Sequence, residues 1–123
     1  ARMGQLAEYA YPMTVTCHKV FDRAPDAFRA LEDVIAAGCT RILTSGLHPT
    51  ATEGAGVISA LVSQAAGRII IMPGGGVRSS NLAGLIDATH ATEYHSSGLT
   101  PMSSNYMADE REIKLMADLL TGR

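Results

Sequence analysis

The sequence predicts an α/β fold of four strand-then-helix units, a half-barrel with parallel strands. Three observations predict it. Apolar strand-type runs recur near Met13–His18, Arg41–Ser45, Arg68–Met72 and Ala91–His95. Each is followed by residues with helical spacing. The third run passes through Pro73 into Gly74, Gly75 and Gly76 and then into a helix start, a glycine-rich strand-to-helix junction. Parallel neighbours need crossover connections, nearly always right-handed, so such repeats give either a small open sheet or part of a β/α barrel. The unit spacing favours the barrel, whose full form takes roughly 250 residues.

The elements follow in order. Met3 to Ala10 has helical spacing but no start signal, so the chain is expected to begin inside an element. After the first strand, Phe28, Leu31, Val34 and Ile35 form one apolar stripe, with Pro25 suited to the opening turn and Gly38 to the C-terminal cap. After the second, Thr50 and Glu53 have capping-box spacing ahead of Val57, Ile58, Leu61 and Val62. Ser79 or Ser80 is placed to cap a short helix carrying Leu82, Leu85 and Ile86. Asp109 with Glu112 opens the last helix, whose apolar residues are Ile113, Met116, Leu119 and Leu120.

Composition narrows the function classes. The 123 residues, 46% hydrophobic and 18% charged, read as a single partial barrel domain over 1–123 with an ordinary globular balance. Ten Lys and Arg against 12 Asp and Glu give a net charge of −2, and the basic residues are scattered, so no nucleic-acid footprint is present. No apolar stretch approaches the roughly 20 residues that span a bilayer, and nothing reads as a signal peptide, so a cytoplasmic protein that leaves membranes alone is expected. Cys17 and Cys39 lie in or beside strands without a CxxC pattern and read as reduced, buried thiols.

The chemistry is expected at the strand C-terminal ends, where barrels carry their sites. Gly74, Gly75 and Gly76 allow positive φ and close approach of a ligand to bare N–H groups, so a small-molecule anion fits that turn. A tight turn that binds nothing is the plain alternative. Side chains alternate along a strand, so Thr14, Thr16 and His18 share one face while Val15 and Cys17 take the other, and Glu93 and His95 share a face likewise. The candidate constellation is His18, Glu93 and His95, with Asp22 in the first loop. Imidazoles with a carboxylate suit either transition-metal ligation, with His18 and His95 as the metal residues, or general acid–base work. The plain alternative for His18 and His95 is the hydrogen-bonded polar end of a strand, and for Asp22 a helix-steadying cap; His48 and His90 read as solvated.

Several of these segments carry a resemblance. Val15-Thr16-Cys17-His18-Lys19-Val20-Phe21-Asp22, Arg41-Ile42-Leu43-Thr44-Ser45-Gly46, Gly67 through Val77, Asn81 and Ala91-Thr92-Glu93-Tyr94-His95 lie in family order over about Pro12–Ser97. Together they resemble the CutC family, the copper homeostasis proteins. The resemblance implies a TIM-like barrel, cytoplasmic copper handling with copper as a possible ligand, and a match to the C-terminal half of members about twice as long. It carries over no copper ligand from the family's amino end. At Cys17 and Lys19 the family usually has Phe and Arg, so Cys17 does not match a family ligand position, and the change at Lys19 replaces a guanidinium fork with a point charge.

Soft ligands that select Cu(I) are few. Met3, Met13, Met72 and Met116 lie on apolar stretches and read as packing residues, while Met102 and Met107 lie in the Ser96–Ala108 loop, where metal binding and an ordinary loop role are both open. Three function classes are therefore carried forward: a copper-associated protein, a barrel enzyme or enzyme remnant holding a phosphate-bearing small molecule at the glycine turn, and a non-catalytic half-barrel assembly module. Four strands cannot close a barrel, so a second copy or a complementary half-barrel is expected on the open edges.

Overall fold

A computed structural model describes residues 16–17, 19–101 and 107–122. Strand β1 (Thr16–Cys17) leads into a 3-10 turn (Lys19–Arg23) and helix α1 (Ala27–Ala36). Then come β2 (Arg41–Thr44), α2 (Ala55–Ala65), β3 (Ile70–Pro73), α3 (Ser79–Thr89) and α4 (Glu110–Thr121). The strands form one parallel sheet in the order β1-β2-β3, with Thr16 opposite Arg41, Arg41 opposite Ile70 and Leu43 opposite Met72.

That register divides the sheet into two faces. Cys17, Ile42, Thr44 and Ile71 point toward the helices, where Ile42 and Ile71 join Leu31, Ile58, Leu61, Leu82 and Leu85 in one buried core. Each fully buried aliphatic side chain there stabilises the fold by about 1.5–3 kcal/mol relative to leaving it in water. The other face carries Thr16, Arg41, Leu43, Ile70 and Met72, and only Leu43 among them is buried. One face is thus saturated with helix contacts and the other stands half open.

Local signals explain most helix ends. Asp26 caps α1 by accepting from Phe28 N at 3.0 Å and Arg29 N at 3.2 Å, which puts Pro25 one residue before the cap instead of in the first turn. Gly38 ends the helix at φ +88°, with Cys39 N bonded to Val34 O and Gly38 N to Ile35 O, the Schellman pattern expected of a glycine there. Thr50 and Glu53 do form their reciprocal pair, but it closes a turn in front of α2, whose cap is Gly54. Ser79 and Ser80 fall inside the first turn of α3; the cap is Arg78, whose N–H donates to the Asn81 side-chain oxygen at 2.9 Å. Asp109 caps α4 by accepting from Arg111 N and Glu112 N, and the Thr100 hydroxyl, followed by those amides, holds its carboxyl below the usual range.

The fourth predicted strand departs from expectation. Ala91–His95 runs beside β3 but joins it through a single described backbone bond, His95 N to Pro73 O at 2.9 Å, and forms no ladder. A parallel ladder needs evenly repeated bonds. The described residues therefore show three parallel strands and four helices, with the fourth unit represented by an extended segment. Of the first predicted strand, only Thr16 and Cys17 lie within the described residues, on the alternate faces expected.

Both cysteines are buried on the helix side. Burial pushes the Cys17 thiol up, and the neighbouring Cys39 and Asp22 push it further; burial does the same to Cys39. The thiolate is the reactive form. Ellman's reagent at mildly alkaline pH is therefore expected to leave both thiols untouched in the folded chain and to titrate both in denaturant. Rapid reaction of either in the native state would contradict this placement.

Candidate functional site

A cavity of about 200 Å³ opens at the C-terminal ends of β2 and β3. It is lined by Leu43, Thr44 and Ser45 with Asp22 bonded to Thr44 and Ser45, by Gly74–Gly76 and His95, and by Arg78 with Ser96 and Ser97 bonded to it. A Cβ on Gly74 would meet Leu43 Cδ1 at 2.5 Å and His95 Cβ at 3.4 Å, so the glycine keeps this corner open and places His95 beside it.

The glycine turn is held from behind. Gly74 N donates to Thr44 O, while the Gly75 carbonyl accepts from Ala51 N and the Gly76 carbonyl from the Asn81 side-chain amide, each at 2.9 Å. Gly75 and Gly76 sit at φ +106° and +72°, a region that disfavours other residues. In a planar trans peptide the N–H points opposite to its carbonyl. Anchoring those two carbonyls therefore turns the N–H of Gly76 away from Ala51 and that of Val77 away from Asn81. Among the described residues, no acceptor takes the N–H of Gly75, Gly76 or Val77.

Arg78 supplies the charge. Its guanidinium donates to the Leu99 and Val77 carbonyls and to the Ser96 and Ser97 hydroxyls, all neutral acceptors. The ion pairs among the described residues join Arg41 to Glu93 and Arg68 to Glu32, so Arg78 is a half-buried cation that no described carboxylate neutralises. The same side chain pins the Ser96–Leu99 segment along the pocket wall.

Asp22 plays a different part. Its carboxylate accepts from the Thr44 hydroxyl, from Ser45 N and from Leu47 N, which adopts φ +65°, while the Ser45 hydroxyl gives its proton to the His48 carbonyl at 2.6 Å. Three donors converge on one group, and Asp22 thereby fixes the turn after β2 in place of the α1 cap, a role Asp26 fills.

The structure brings Asp22, His95 and the three glycines of the predicted constellation together and sets Glu93 apart. The Glu93 carboxylate forms a two-pronged pair with Arg41, at 3.0 and 3.1 Å, at the first residue of β2 and outside the pocket lining. His18 and Met102 lie outside the described residues, and Met107 is exposed. Among the described residues no three His, Cys, Asp or Glu side chains are grouped to hold a metal ion. Sequence reasoning missed Arg78, Thr44, Ser45, Ser96 and Ser97; the signal for the first was its place directly after the glycine turn.

The family model for CutC matches residues 1–100. The chain belongs to the CutC family. A CutC family protein of Chromobacterium violaceum is 50% identical over 104 residues, covering 85% of this chain and 42% of its own length. One from Vibrio campbellii is 45% identical over 112 residues, covering 88% and 45%. Among solved structures, the CutC protein of Streptococcus agalactiae, named for copper homeostasis, superposes with a TM-score of 0.66 at 31% identity, covering 75% of this chain and 48% of that one. This chain therefore spans less than half the length of the curated relatives it matches.

Proposed function

We propose that this chain forms half of a CutC-type barrel whose strand-end pocket binds a small molecule through an oxyanion group. The observation that carries the reading is Arg78, a half-buried guanidinium with only neutral partners among the described residues, beside a glycine turn with bare N–H groups. A cation and convergent amides in a concave site are what an oxyanion needs. Calorimetry with inorganic phosphate tests it: saturable binding is expected, and no heat at millimolar phosphate rejects it. No reaction is assigned. His95 is the wall residue suited to acid–base work.

Copper is the second reading, favoured by the name of the Streptococcus agalactiae protein and by His95 on the pocket wall. The described donors do not fit a copper centre. Asp22 is already engaged by three donors, and both thiols lie on the helix side of the sheet. A Cu(I) site built on His18 and His95 would lose affinity in His95→Ala; an unchanged titration removes the pair as ligands.

The half-open sheet face supports completion of the barrel by a second copy or a complementary half. Ile70 and Met72 lie partly exposed there beside the Arg41–Glu93 pair, an arrangement suited to being covered. Sedimentation of the isolated chain at micromolar concentration is expected to show a dimer or larger assembly. A stable folded monomer would count against the second-copy arrangement.

A further inference from the structure

The first turn of α3 lies directly behind the glycine turn, and a helix start is where a bound phosphate ordinarily finds further donors. Here that place is filled from within. Glu112, on α4 and 8% exposed, accepts the Ser79 N–H on one carboxylate oxygen at 2.5 Å and the Ser79 hydroxyl on the other at 2.8 Å. The adjacent Arg78 N–H is taken by Asn81, and Asn81 N is turned to the Arg78 carbonyl. Two donors next to the pocket are thus committed to a protein carboxylate.

We infer that Glu112 is a specificity-determining residue that limits the pocket to ligands with one oxyanion group, the phosphate monoester class, and turns away diphosphates. The inference rests on the anion-binding reading above. One oxyanion group fits between the turn amides and Arg78. A second phosphate continuing onto α3 would meet Ser79 donors already occupied and the Glu112 carboxylate itself, a repulsive element of the kind that sets specificity. Glu112 is a positioning residue in this scheme, acting through Ser79 without touching the ligand.

The test compares inorganic phosphate with pyrophosphate on the full 123-residue chain and on Glu112→Gln, which keeps the shape and removes the charge. Wild type is expected to bind phosphate, and pyrophosphate no more tightly despite its greater charge. In Glu112→Gln the affinity ratio is expected to move about tenfold toward pyrophosphate, a change of the size one removed like charge produces. Tighter pyrophosphate binding by wild type, or a variant that loses thermal stability with the ratio unchanged, overturns the inference while leaving phosphate binding intact. Wild type that binds neither anion overturns the anion-binding reading and this inference with it. If Glu112→Gln does not fold, the wild-type comparison alone still decides.

Discussion

Arg78→Met is expected to raise the dissociation constant for phosphate at least about tenfold, because one charge-assisted contact in a partly buried site contributes about 1.5–3 kcal/mol. The guanidinium is the pocket's described cation without a carboxylate partner, so its loss leaves the turn amides as the attractive groups, with the Asp22 carboxylate still in the same lining. The same change strips the Leu99 and Val77 carbonyls and the Ser96 and Ser97 hydroxyls of their donor, so a lower melting temperature should accompany it. Arg78→Lys separates the two effects. It keeps the charge but cannot span four acceptors with a planar fork, and is expected to bind phosphate at intermediate strength with the wall segment loosened. Calorimetry and thermal melts on the two variants check this; phosphate binding untouched in Arg78→Met would remove Arg78 from the site.

Gly54→Ala is expected to be the most damaging single methyl group, costing about 3 kcal/mol or more, at the upper end of what overpacking does. A Cβ on Gly54 would stand 1.9 Å from the Ser45 carbonyl oxygen, and one on Gly46 would stand 2.3 Å from the Gly54 carbonyl oxygen. Both obstacles are backbone, which cannot swing aside. Ser45 is also a pocket-lining residue bonded to Asp22, so the displacement reaches the site. Gly56 provides the contrast in the same helix: a Cβ there meets nothing within 4 Å, and Gly56→Ala is expected to be neutral or to stabilise by up to about 1 kcal/mol. Chemical denaturation of the two variants measures the difference, and equal stabilities would contradict the close approach.

That pair of glycines marks the boundary of what the sequence makes legible. Apolar periodicity located β2, β3 and the buried Leu31, Val34, Ile58, Leu61, Leu82, Leu85 and Met116, because burial on one face imposes a local pattern, whereas Phe28, Ile113 and Leu120 of the predicted stripes are exposed. Gly38 was readable for the same reason, since a helix exit with positive φ is a local demand. The contact between Gly46 and Gly54 is made across space and leaves no periodic trace. The Asp109–Glu112 spacing shows how a local signal can be redirected. Asp109 does cap α4, but Glu112 turns to Ser79, 33 residues away, because that serine offers an N–H and a hydroxyl at a helix start.

The candidate site divides in the same way. The glycine turn was visible in the chain, and Asp22 and His95 were reachable by asking which residues end strands. Glu93 satisfied the same alternation as His95 yet lies with Arg41, since an arginine at the start of β2 offers a two-pronged partner that periodicity cannot reveal. Ala91–His95 has strand composition, but composition does not supply the repeated backbone bonds that make a ladder, and one bond to Pro73 is all that the described residues provide.

Anion binding by this chain, as proposed, requires the Gly75–Gly76 turn and Arg78 to cradle the oxyanion together. An amide-resolved NMR titration with inorganic phosphate tests it most directly. Saturable shifts are expected of the Gly75, Gly76 and Val77 amides and of the Arg78 side-chain Nε, with the amides of α1 unmoved. Saturation elsewhere in the chain while those signals stay still, or no saturable shift at millimolar phosphate, would contradict it.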